Sequence, residues 1–223
     1  SSPPTEPAAA TAVLEVTQVP TPTPGVLMTG ERTGSLGANF ANDPVGNSLA
    51  VAVLMGMIFI VIRAIQYFRQ PTAPENNLLW KWAVPVICLI GLGVASYLAY
   101  VETTQVQAVC GPVGDCNTVQ QSEYARLFGV LPIGILGLIG YVLILFAWVV
   151  SQVKNPLPAA YGALAQLGLA AFGVLFSIYL TFLEPFVIGA TCAWCLTSAI
   201  LMTALLWLSL PPARKAWAQF KGS

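Results

Sequence analysis

The sequence predicts an all-α integral membrane protein, and three observations carry that expectation. Hydrophobic residues fill 57% of the 223 positions and charged residues only 8%, against roughly 25% charged in an average soluble domain. So little charge does not cover a globule with polar surface. Five apolar stretches follow one another, each near the roughly 20 residues that cross a hydrocarbon core of about 30 Å. The basic residues gather on one side of those stretches, the asymmetry that orients a chain in a bilayer.

Residues 1–47 are rich in Pro, Thr, Ala and Gly; the run from Val19 to Gly25 reads V-P-T-P-T-P-G. Without a sustained apolar period this segment is expected to be a flexible tail. The spans are then expected at Ser48–Phe68 (an extra helix within residues 48–70), Trp80–Val101, Gly129–Val150, Ala160–Leu183 and Ala190–Leu210. Hydrocarbon offers no water to backbone groups, so these stretches are read as helices. Pro71, Pro74, Pro156, Pro158 and Pro185 fall in the links, and Pro211-Pro212 is expected to stop the last span, leaving 211–223 as a tail.

Arg63, Arg69, Lys81, Lys154, Arg214, Lys215 and Lys221 lie toward one side, seven of the nine basic residues. Arg32 and Arg126 take the other side, together with Glu6, Glu15, Glu31, Asp43, Glu102, Asp115, Glu123 and Glu184. The positive-inside rule then sets residues 211–223 in the cytoplasm, and the N-terminal tail, the loop near residue 110 and the start of the last span outside it. The host is a cell inner or plasma membrane, or a thylakoid-like one. Histidine is absent, which excludes imidazole bases and His-ligated haem. The net charge of zero leaves no nucleic-acid footprint. Residue 1 is Ser rather than Met, so the natural start is missing and the sequence supports no argument for or against a signal peptide.

Four cysteines form two pairs on the outer side. Cys192 and Cys195 stand in C-A-W-C after Gly189 and Thr191. With Thr191 as N-cap, both sulfurs occupy the first helical turn, where free amides and the helix dipole favour a thiolate. Cys110 and Cys116 bracket G-P-V-G-D, a stretch that turns readily and lets two sulfurs close a small ring. At this level three readings stand: a structural staple beside packed core cysteines, a thiol exchange relay, and a four-thiolate metal site. Cys88, in the second span, reads as a small buried hydrophobe. No metal is assigned.

Two longer segments narrow the choice. C-N-T-V-Q-Q-S-E-Y-A-R-L-F-G, Cys116 to Gly129, followed by V-L-P-I-G, resembles the loop-to-helix segment of bacterial vitamin K epoxide reductase homologues. Y-L-T-F-L-E-P-F-V-I-G-A-T-C-A-W-C, Tyr179 to Cys195, resembles their passage from third to fourth helix. The resemblance covers residues 80–210 and implies a four-helix transmembrane bundle, to which residues 48–70 add one N-terminal helix.

The resemblance further implies roles. Cys110 exchanges with a soluble thiol partner, Cys116 exchanges with Cys192, and Cys195 passes electrons to a membrane quinone. Ser122, six positions beyond Cys116, is the family's hydroxyl near the quinone oxygen. Phe128, Leu131, Leu180 and Ile188 are expected to line the ring pocket. The quinone is menaquinone, ubiquinone or a plant-type quinone. With no fused thioredoxin-like domain in the sequence, the partner is expected to be a separate extracytoplasmic thioredoxin-like oxidoreductase, and the activity to support disulfide formation. Vertebrate members carry Tyr four positions after the last catalytic cysteine, where this chain has Ala199; quinone rather than epoxide reduction is therefore expected. The rival reading is an accessory subunit with idle cysteines, docked to a membrane complex through residues 48–70, where Ala50, Ala52, Gly56 and Ala64 permit close helix contact. A transporter is the weaker third idea, because no span carries a charge near mid-depth.

Overall fold

Long apolar sequence with no alternation has one solution in lipid, a helix whose backbone bonds close on themselves. The computed structural model, which describes residues 36–69, 78–110, 114–127 and 131–222, all within the unit Gly34–Ser223, takes that solution throughout. Its helices are α1 (Leu36–Asn42), α2 (Pro44–Arg69), α3 (Leu78–Thr104), α4 (Cys116–Gln120), α5 (Ile133–Ser151), α6 (Pro156–Leu183) and α7 (Ala193–Gly222). Among the described residues five helices are long and apolar enough to cross a membrane: Pro44–Arg69, Trp82–Thr104, Ile133–Ser151, Pro156–Ile188 and Ala193–Lys221. The chain is a multi-pass membrane protein. Its outer faces expose large apolar side chains such as Phe59, Leu89, Phe146 and Phe172, which lipid accommodates and water would not.

The four-helix core pairs α3 with α5, α5 with α6, α6 with α7 and α7 with α3, and α2 packs outside it on α6 and α7. Between the helices lies one buried cluster that includes Cys88, Tyr141, Ile144, Val174, Met202 and Leu205. Tyr141 brings a polar tip to this core, and its hydroxyl bonds the Ser198 hydroxyl at 3.1 Å. Cys88 is wholly buried among these side chains, remote from the other cysteines in the fold.

Several boundaries depart from the sequence reading, each for a local reason. Residues 1–35 of the expected tail lie outside the described residues, but 36–42 and 44–47 are helical rather than loose, with a bend at Asp43. Asn47 explains this: buried in the first turns of α2, it donates to the carbonyls of Asn39 (3.4 Å) and Phe40 (3.1 Å) and so folds α1 back onto α2. The third span starts at Ile133 instead of Gly129. Leu131–Pro132 is drawn into a two-residue strand, β2, antiparallel to β1 (Arg126–Leu127), and Pro132 then precedes the first helical residue.

Pro185 does not break the fourth span. It sits in a single π-helical turn, Glu184–Ile188, which carries the helix on to Gly189 in the left-handed conformation, φ 77°. Such turns relieve a helix at a residue without an amide hydrogen. Nor do Pro211 and Pro212 stop the last helix, which runs through both to Gly222. Packing beyond them outweighs the lost bonds: Ala216 is buried against Ala160 and Ala163 at the start of α6, and Arg214 lies 5.1 Å over the Tyr67 ring.

Candidate redox site

Cys116 opens α4, whose entry is fixed by Asp115. The Asp115 carboxylate accepts from the amides of Asn117 (3.1 Å) and Thr118 (3.2 Å) and from the Thr118 hydroxyl (2.6 Å). These donors, the Thr118 hydroxyl foremost, hold its carboxyl below the usual range; this is the side-chain cap that starts a short helix. Cys110 and Cys116 form a disulfide with their Cα atoms 5.8 Å apart, and the Cys116 amide donates to the Cys110 sulfur at 3.2 Å. In this state the site offers the Cys192 and Cys195 thiols but not four thiolates.

The loop is pinned to the start of α7. The Trp194 indole N–H donates to the Val109 carbonyl at 2.9 Å, and the Val109 amide donates to the Tyr97 hydroxyl at 2.7 Å. The Tyr97 and Trp194 rings meet at 4.7 Å. Gly114 adopts φ 89° and lies against the Thr191 carbonyl, so that a Cβ would strike the Thr191 backbone. Only glycine takes this conformation and this approach without strain.

Helix α7 begins at Ala193, which makes Cys192 rather than Thr191 the N-cap. The Cys192 carbonyl accepts from the Leu196 amide at 3.0 Å and its sulfur from the Cys195 amide at 3.4 Å. Thr191 has been taken by a stronger partner: its hydroxyl donates to Asn47 Oδ1 at 2.9 Å, in a buried contact between α2 and the redox segment. The Cys192 thiol is held below its ordinary range, first by the hydrogen bond from the Cys195 thiol, against burial, with help from the Cys195 amide, the Gln120 side chain and the Trp194 amide. A capping sulfur at a helix start is the nucleophilic member of a dithiol.

Cys116 and Cys192 are both fully buried, and both belong to one apolar cluster with Val94, Leu98, Val101 and Val119; Cys110 and Cys195 pack against it. The fold therefore brings all four sequence-selected cysteines to one end of the bundle. Cys195 borders two cavities. One, about 180 Å³ and almost wholly apolar, runs between α3, α5, α6 and α7, with Ile139, Leu143 and Phe172 at its outer rim. The other, about 40 Å³, lies under α4. Leu180 lines both, and Ile188 and Ser122 line the second. The Ser122 hydroxyl donates to the Val119 carbonyl at 2.7 Å. Leu131, half-buried in β2, borders neither cavity, because the strand pairing turns that segment away from the helix start. Phe128 lies outside the described residues.

Three polar residues of the site escaped the sequence reading. Gln120, one helical turn after Cys116, places Nε2 3.8 Å from the Cys192 sulfur and 3.7 Å from that of Cys195. Glu184 is buried, and its Oε2 accepts from the Cys192 amide at 3.3 Å. Asn47 holds Thr191. The legible signals were the i, i+4 spacing of Gln120 and an acid, Glu184, beside an apolar run; no local pattern ties Asn47 to a segment 144 residues away.

The Asn47 contact carries its own prediction. Asn47→Ala strips the Thr191 hydroxyl and two carbonyls of a buried partner and should lower stability by about 1–3 kcal/mol. Thermal unfolding in detergent checks this. Combined with Thr191→Val, the loss should be clearly less than the sum of the two single losses; strict additivity would show that the bond contributes nothing.

A redox-capable disulfide and a C-x-x-C dithiol, gathered in one buried cluster at one end of a five-span bundle, define a membrane thiol oxidoreductase. The vitamin K epoxide reductase family matches residues 82–210, more than half of the chain. The chain belongs to that family.

Proposed function

We propose that the protein oxidises a soluble thiol partner and delivers the electrons to a membrane quinone. One observation carries this reading: of the four clustered cysteines, Cys195 is the one that borders the apolar cavities. A lipid-soluble ring approaches from the bilayer side, a thiol protein from the polar side, and the two pairs stand in that order. The residues fit a quinone. The larger cavity has apolar walls from Leu98, Leu136, Phe176 and Leu180, with Ser177, Thr181, Glu184 and Ser198 as its few polar side chains beside Cys195, the usual make-up of a small-molecule site. A quinone bound there supplies an acceptor for two electrons and two protons.

The chain's own steps are thiol exchanges. A partner thiolate attacks the Cys110–Cys116 disulfide at Cys110, a mixed disulfide forms, and the partner's second thiol resolves it. The reduced loop pair then reduces Cys192–Cys195, with Cys116 attacking Cys192 and Cys195 leaving as thiolate. Each step exchanges one S–S bond for another. Gln120 steadies the thiolates through its amide. In this reading Cys110, Cys116, Cys192 and Cys195 carry the electrons, Ser122 closes the small cavity, and Leu180 and Ile188 wall the ring. The partner is a separate thioredoxin-like protein on the non-cytoplasmic side, and the physiological result is disulfide formation in exported proteins. Strong oxidants of that partner class stand near about −120 mV, so a quinone of higher potential is needed to draw electrons this way.

Rapid mixing of the purified, dithiol-reduced protein with a soluble quinone analogue should bleach the quinone absorbance with two quinones consumed per fully reduced molecule, one for each cysteine pair. Reduced protein that leaves the quinone untouched would remove the acceptor from the scheme.

A further inference from the structure

Oxidising a dithiol releases two protons with the two electrons, and the side chains around Cys195 are mostly hydrocarbon. Five residues border both cavities that meet at Cys195: Leu98, Ile133, Leu180, Glu184 and Cys195 itself. Three are hydrocarbon. Glu184 is the one carboxyl in that shared wall, 2% exposed, and neither cavity contains a lysine or arginine to neutralise it. Its Oε2 is fastened to the Cys192 amide at 3.3 Å, and its backbone carbonyl accepts the amides of Gly189 (2.8 Å) and Ala190 (3.2 Å). The π turn thus presents the carboxyl to the C-x-x-C pair from a fixed backbone. A buried acid with no lysine or arginine among the described residues of either wall, held against a dithiol, is costly as packing; its placement has a chemical use.

We infer that Glu184 is the proton acceptor of the C-x-x-C pair. The inference rests on the thiol-oxidising reading and adds a catalytic residue to it. Cys195 leaves the exchange as thiolate and takes up one of the partner's two thiol protons. In the step it gives that proton on: its S–H bond breaks, an O–H bond forms on Glu184, and the sulfur keeps the electron pair. The Cys192–Cys195 bond then forms as two electrons leave for the quinone-class acceptor. Both thiol protons end on that acceptor, one of them by way of Glu184. The other carboxyl bordering either cavity is Glu102, which lines the smaller one and also the polar recess formed with Gln105, Asn117 and Arg126. Glu102 is committed elsewhere, since its Oε2 accepts the Gly134 amide at 2.7 Å.

Glu184→Gln separates the chemical role from a structural one: the amide oxygen still accepts the Cys192 N–H, but the side chain no longer takes a proton. Infrared difference spectra of the full-length protein, cycled with a soluble dithiol and a soluble disulfide and without quinone, should show a carboxylic-acid C=O band that changes with the redox state of the pair. That band should vanish in Glu184→Gln and persist, displaced, in Glu184→Asp. Rapid mixing with a quinone analogue should show dithiol oxidation in Glu184→Gln slowed on the order of 10²-fold or more, the scale of a lost general base, with half-saturation by quinone little changed. A wild-type spectrum without a redox-linked carboxyl band, or a band retained in Glu184→Gln, overturns the proposal, as does a full rate in that variant. Because the infrared cycle contains no quinone, its result stands apart from the rapid-mixing result for the wild type, on which the quinone reading depends.

Discussion

Cys195→Ala should abolish electron delivery to quinone while the protein remains folded. The expected loss is on the order of 10⁴-fold or more, the scale of deleting a group that acts as one unit with its neighbours. The same variant should trap an intermediate. Cys192 keeps its place at the N-cap and in the cluster with Cys116, so its thiolate attacks the Cys110–Cys116 disulfide and expels Cys110. In the wild type Cys195 would resolve the Cys116–Cys192 bond; without it, the bond persists. Peptide mapping under non-reducing conditions reads the species directly. The variant also removes the leading contact that holds the Cys192 thiol below its ordinary range, so burial is opposed only by the amides of residues 194 and 195 and the Gln120 side chain, and the thiol shifts upward. The thiolate fraction at neutral pH therefore falls, and trapping should quicken as pH rises through the new, higher value. Quinone reduction at the wild-type rate in Cys195→Ala would sink the assigned order of cysteines.

Gly134→Val should be the most damaging change to the frame. The first turn of α5 approaches α3 so closely at Gly134 that an added Cβ would lie 2.8 Å from both the Ala99 Cα and the Leu98 carbonyl carbon. These are backbone atoms and have no rotamer by which to yield. Helix contact in lipid depends on such small-residue approaches, since lipid tails give no hydrophobic drive to association. Forcing the helices apart should cost about 3 kcal/mol, the upper end for overpacking, and would also pull the Gly134 amide from Glu102. Thermal unfolding in detergent measures it. Gly168→Ala on α6, where a Cβ meets nothing within 4 Å, is the matched control and should leave stability unchanged or slightly raised. Equal melting of both variants would show that the α3–α5 contact is not tight.

The four cysteines, the membrane class and the helical spans were legible because each rests on local pattern. Composition sets the solvent, run length sets the span, and cysteine is chemically distinctive wherever it stands. The stops were less legible. Proline marks a lost amide hydrogen, but whether a helix ends there depends on what lies beyond: Ala213 and Ala216 bury the continuation of α7, and the π turn absorbs Pro185. Of the residues expected around the ring, Leu180 and Ile188 border cavities at Cys195, whereas Leu131 is removed by a two-residue strand pairing that no periodicity announces.

By itself the sequence determined that this chain lives in lipid, that five of its segments are long and apolar enough to cross a membrane, and that two cysteine pairs stand near the ends of those segments. It did so because burial in hydrocarbon and the identity of sulfur are properties of single segments. Tertiary structure decided which groups surround the sulfurs: Thr191 turned to Asn47, Cys192 made the cap in its place, and Glu184 and Gln120 brought against the C-x-x-C pair. Those contacts join segments 8 to 144 residues apart. The longest of them arises from the packing of whole helices, and the chain carries no local mark of it.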